Sequence, residues 1–168
     1  PVRMLRAIKY SAFLNVRVPE RYRKLIRRHA MLLGKCAAGR LSEELRKLLS
    51  SGNASDILLD CARTGLLAAL LPAVDRQVRP RRQDPLISEL ARIEQTVPIG
   101  ESVRLRAMTA LAATVNRAGG DTTLRGVKLA FAPLMITNDD AHTILQALSR
   151  NNQYGQRAGY RVVGSVRR

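Results

Sequence analysis

Asp139 and Asp140 stand side by side, and carboxylates are the side chains that hold hard divalent cations. No third ligand is spaced to join them. After Thr137 and Asn138 they read as the acidic first turn of a helix, where negative charge meets the positive end of the dipole. His29 and His142 have no Cys or carboxylate at ligand spacing and read as ordinary helix residues. Gly119-Gly120 lacks the Gly-x-x-x-x-Gly-Lys context of a phosphate loop and reads as a helix terminator. Ser42, Ser50 and Ser51 have no base or orienting group in sight. Cys36 and Cys61 are isolated in apolar helical surroundings, as expected of reduced thiols in a cytosolic protein. No complete active site and no catalytic residue emerges from these residues.

The cations tell more. Twenty-nine Lys and Arg against 13 Asp and Glu give a formal charge of +16, which calls for a polyanionic partner. They cluster: Arg3, Arg6 and Lys9; then Arg17, Arg21, Arg23, Lys24, Arg27 and Arg28; then Arg79, Arg81 and Arg82; then Arg157 and Arg161. Cations grouped on neighbouring helices neutralise phosphates and release counterions, so RNA or DNA is the expected partner. Tyr10, Tyr22, Tyr154 and Tyr160 are the main aromatics for stacking, so contact with backbone and shape is expected to outweigh base stacking. An anionic membrane surface is the weaker expectation. No run of about 18 apolar residues is present, so no bilayer-spanning segment is expected.

The elements carrying these cations are helical throughout, and the expected fold is all-α. The Leu- and Ala-rich, aromatic-poor composition favours helices, and no alternating strand pattern occurs. Val2, Leu5, Ile8, Ala12 and Phe13 form one stripe; a second helix entered at Pro19 has Tyr22, Leu25, Ile26 and His29 to Leu33 as its apolar side. GRLSEELRKLLSSG packs Leu41, Leu45, Leu48 and Leu49 and stops at Gly52. The helix that follows, started by Asn53 or Ser55, ends at Gly65. Residues 73–85 are basic and Pro-punctuated and suggest a hinge between a helical unit over 1–72 and a second helical body over 86–150. Residues 151–168 read as a flexible basic tail.

PVRMLRAIKYSA, then the basic helix, then GRLSEELRKLLSSG, then a helix ending in GLLAALLP, together resemble the bacterial poly(A) polymerase and CCA-adding tRNA nucleotidyltransferase family. The resemblance is good over residues 1–72 and weaker over 73–150, where FAPL at 131–134 is similar to poly(A) polymerase C-terminal regions. In that family an acidic pair stands before Pro-x-Arg; here only the Arg, Arg3, is present. The chain therefore looks like a C-terminal neck and body, with the catalytic head expected upstream in the same protein. The resemblance implies that Arg3 and Arg6 bind the incoming nucleotide, with Lys9 on the head or the RNA. It implies that Arg40 and Glu44, which at i, i+4 can pair directly, brace the neck. It also implies a phosphate surface centred on Arg17, Arg21, Lys24, Arg27 and Arg28. The implied function is the RNA-binding part of a poly(A) polymerase that adds AMP from ATP to RNA 3′ ends. Mg²⁺ and ATP belong to the intact enzyme, no cofactor to this part, and mRNA 3′ ends or tRNA are the partners in the cytoplasm. The alternatives are a CCA-adding enzyme and a free-standing RNA-binding module.

Overall fold

Apolar residues at helical spacing fold into ten α-helices and one 3₁₀ helix, with no strand among the described residues. The computed structural model describes residues 1–119 and 121–157. The helices are α1 (Val2–Phe13), α2 (Glu20–His29), α3 (Ala38–Leu49), α4 (Ala54–Thr64) and α5 (Leu66–Leu70). They continue as α6 (Pro72–Asp75), α7 (Pro85–Thr96), α8 (Glu101–Arg117), α9 (Leu124–Phe131) and α10 (Asn138–Arg157); the 3₁₀ helix, Ala30–Lys35, follows α2 directly.

The stops are those the glycines set. Gly52 and Gly65 adopt φ of 73° and 76°, left-handed values that an L side chain resists. The start of α4 differs from expectation. Neither Asn53 nor Ser55 caps it with a side chain. Instead Glu94, on α7, accepts from the Ser55 amide at 2.8 Å and from the Ser55 hydroxyl at 2.5 Å. A carboxylate at that end satisfies an orphan donor and meets the positive dipole end.

One core runs through both halves, from Val2 and Leu5 on α1 through Ile57 and Leu58 on α4 to Phe131, Ile144 and Leu148. Residues 73–85 are fastened on both sides in place of a free joint. Asp84 accepts from the Leu86 amide at 3.0 Å to cap α7 and from the Arg79 amide at 2.8 Å. Arg63 on α4 donates to the Pro80 carbonyl at 3.4 Å, and Arg82 pairs with Asp56 at 2.9 Å. The expected tail also begins too early: α10 runs on to Arg157, and 158–168, including Arg161, lie outside the described residues. Asp139 and Asp140 do sit in the first turn of α10, where the Thr137 hydroxyl accepts from the Asp140 amide at 3.1 Å.

At the start of α9, a Cβ on Gly126 would lie 1.8 Å from the Asp121 carbonyl oxygen, backbone that cannot swing aside. Gly126→Ala is expected to cost about 1–3 kcal/mol by overpacking. Gly39→Ala, in α3 with nothing within 4 Å of the new methyl, is expected to be neutral or stabilising. Urea unfolding of the two variants checks the pair.

Candidate nucleic-acid interface

Three stripes of α2 divide its work. Ile26, continued by Ala30 and Leu33 of the 3₁₀ helix, is buried. Glu20, Arg23 and Arg27 lie one turn apart on a second stripe. Arg23 reaches Asp60 on α4 at 3.4 Å and Glu20 at 3.8 Å, and Arg27 donates to the Arg63 carbonyl at 3.3 Å. Arg21, Lys24 and Arg28 form the third stripe, exposed, with exposed Arg17 just ahead of the helix. Among the described residues none of these four is in an ion pair; the acidic partners near α2 go to Arg23. Arg21 lies over the Tyr22 ring, 4.7 Å from its centroid, and donates to the Tyr22 hydroxyl at 3.2 Å. The pair presents a guanidinium and an aromatic face together, a combination that contacts phosphate and base.

The expected apolar side of α2 is mostly uncovered. Tyr22, Leu25, Met31 and Leu32 are exposed, Met31 at 69%. So are Tyr10, Phe13, Leu14 and Val16 at the end of α1 and in the turn after it. The 3₁₀ geometry explains part of this, because its tighter winding rotates Met31 and Leu32 away from the row that Ile26 begins. Tyr10 and Phe13 make an edge-to-face pair with centroids 6.2 Å apart.

The structure takes one expected RNA contact, Lys9, and one expected nucleotide contact, Arg6, inward. Lys9 is 8% exposed and reaches Glu44 at 3.4 Å. Arg6 donates through Nε to the same carboxylate at 2.8 Å, with a second bond from its Nη2. Glu44 is 3% exposed and spends both oxygens on α1, so the expected Arg40–Glu44 pair does not form and Arg40 is exposed. Glu44 thus clamps α3 to α1. The Arg6 hydrogen bond, helped by the Lys9 charge, holds the Glu44 carboxyl below the usual carboxylate range against the opposing effect of burial. Sequence reasoning missed this clamp, although Glu44 sits on the Leu41–Leu45–Leu48 stripe, a place for a carboxylate only if a cation meets it.

A second clamp lies beyond. Arg104 of α8, almost fully buried, donates to Asp140 of α10 at 2.7 and 2.9 Å and to Glu101 at 2.9 Å. Those hydrogen bonds keep Asp140 below its ordinary range. Asp140 therefore serves structure, and no group of three or more His, Cys, Asp and Glu among the described residues is placed to hold a metal ion.

Arg3 is exposed at the start of α1, and Arg79 and Arg81 are exposed in the segment before α7. Arg82 is held by Asp56. Arg157 closes α10, and only its backbone is described. Cys61 is fully buried and Cys36 half-buried, both free thiols; burial pushes the Cys61 thiol far up and leaves it inert. No described helix is long and apolar enough to cross a membrane.

Residues 15–78 match the family model described as the probable RNA and SrmB-binding site of polymerase A. Poly(A) polymerase I of Salmonella typhi is 38% identical over 76 residues, covering 45% of this chain and 16% of that protein. Poly(A) polymerase I of Salmonella typhimurium is 37% identical over 76 residues, with the same shares. The chain thus spans 16% of the length of the curated relatives it matches. No solved structure matches it. The matched stretch contains α2, the 3₁₀ helix, α3, α4 and their exposed cations, and over these residues the chain is similar to the RNA-binding region of bacterial poly(A) polymerases.

Proposed function

We propose that this chain holds RNA by its phosphate backbone on the face of α2 and orients it for a catalytic head in the same protein that adds AMP from ATP to RNA 3′ ends. The observation that carries the reading is the stripe of Arg21, Lys24 and Arg28 with Arg17, exposed and outside any described ion pair, within the matched stretch. Planar guanidinium forks suit phosphate oxygens, and the free lysine adds a point charge. Tyr22 beside Arg21 offers a base a stacking face without regard to its identity.

The described residues do not fit the Mg²⁺ that polymerisation implies, and no chemical step is assigned to them. Their part is binding and orientation. In this reading Arg3, exposed at the start of α1, meets the nucleotide at the catalytic head, while Arg6 fixes α1 by way of Glu44. A cytoplasmic setting with mRNA 3′ ends as substrate suits two free thiols and a backbone-reading surface.

The test is binding of the chain to an unstructured RNA and to a tRNA body of equal length, titrated with salt. Equal affinity with equally steep salt dependence is expected. A tRNA preference that persists as salt rises would replace this reading with CCA addition.

A further inference from the structure

A second concentration of cations lies outside residues 15–78. α7, α8 and α10 enclose an open groove of about 780 Å³, and Arg92, Arg106, Arg117 and Arg150 line it. On α8 the lining positions 106, 109, 110, 113, 114 and 117 repeat at helical spacing and form one face. Glu89 is the only carboxylate among the described lining residues, and Arg92 occupies both its oxygens, at 2.8 and 2.6 Å. The described ion pairs of these three helices are Glu89–Arg92, Glu101–Arg104 and Arg104–Asp140. None includes Arg106, Arg117 or Arg150. Arg117 donates to the Thr114 hydroxyl at 3.2 Å, which holds its guanidinium against the groove wall.

We propose that this groove is a second track for the RNA phosphate backbone, separate from the face of α2. Three guanidinium groups outside any described ion pair line a concave surface, and their planar forks suit phosphate oxygens. A concave track suits a single strand with a charge at each step better than a flat membrane, which touches only a rim. The choice of RNA over other polyanions rests on the function proposed above. Two separate tracks raise the affinity for a strand that reaches both, because the second contact forms at high effective concentration.

The test compares Arg106→Gln/Arg117→Gln/Arg150→Gln with Arg17→Gln/Arg21→Gln/Lys24→Gln/Arg28→Gln and with a charge control, Arg125→Gln, exposed on α9 away from the groove. All are titrated with an unstructured 30-nucleotide RNA over a salt series and with phosphatidylglycerol vesicles. The thermal midpoint of each shows that it folds. The groove variant is expected to lose about tenfold or more in RNA affinity, with a salt slope shallower by about 2, while Arg125→Gln loses far less. A groove variant that binds RNA like Arg125→Gln, while the α2 variant loses binding, overturns the groove and leaves the α2 reading standing. Loss in the groove variant alone upholds the groove and overturns the α2 face. No RNA binding by the unmodified chain removes both. Loss of vesicle binding with RNA binding intact also overturns the groove as an RNA site.

Discussion

Glu44→Ala is expected to cost the fold about 3–5 kcal/mol, the range seen when one partner of a buried charge pair is removed. The truncation leaves the Lys9 ammonium buried beside α3 with no counter-charge and frees Arg6 to swing into water. Lys9→Met is expected to cost far less: an apolar chain of similar length replaces a buried cation, and Glu44 keeps Arg6. Urea unfolding at neutral pH separates the two; equal costs would mean that Glu44 acts through packing. The clamp also sets an acid dependence. The Glu44 carboxyl is held below its ordinary range, so its contribution is fully present above the unfolded-state value of about 4.3. It fades as pH falls through the lower folded value. The gap between the unmodified chain and Glu44→Gln is therefore expected to shrink below about pH 4.

The helices, most of their ends and the basic character of α2 are legible in the sequence because they depend on spacing within one element. Leu41, Leu45, Leu48 and Leu49 are buried as their periodicity requires, and Gly52 and Gly65 stop their helices. What periodicity cannot carry is whether a neighbour covers an apolar side. Tyr22, Leu25, Met31 and Leu32 satisfy the pattern and face outward because no described helix packs there. Partners distant in the chain are equally hidden. Arg6 and Lys9 lie 38 and 35 residues from Glu44, and Arg104 lies 36 from Asp140. The basic, Pro-punctuated composition of 73–85 suggested freedom, yet Asp84 ties that segment down through backbone amides that composition does not display.

Replacing Arg17, Arg21, Lys24 and Arg28 together with Gln is expected to lower affinity for single-stranded RNA about a hundredfold or more near 0.1 M salt. Four lost phosphate contacts at about 0.7 each make the salt slope shallower by about 3. All four side chains are exposed and outside described ion pairs, so the thermal midpoint is expected to hold. Arg23→Gln/Arg27→Gln provides the contrast on the same helix. These side chains face Asp60 and the Arg63 carbonyl on α4, so that variant is expected to lose stability, by about 1 kcal/mol, more than RNA binding. If the two variants bind RNA equally, the strand lies elsewhere.

The Glu94 carboxylate on the first turn of α4 has a consequence for cooperativity. The helix that carries Asp60 and Arg63, and through them orders the cations of α2, begins on a residue contributed from beyond position 78. Stability of the α2 surface proposed to hold RNA is thus linked to the integrity of α7. Cutting the chain after residue 78 would strip the cap from α4 and uncover Ile57 and Leu58 in the same stroke. The matched stretch 15–78 is therefore expected not to fold by itself, and heat or denaturant is expected to unfold both halves in one transition.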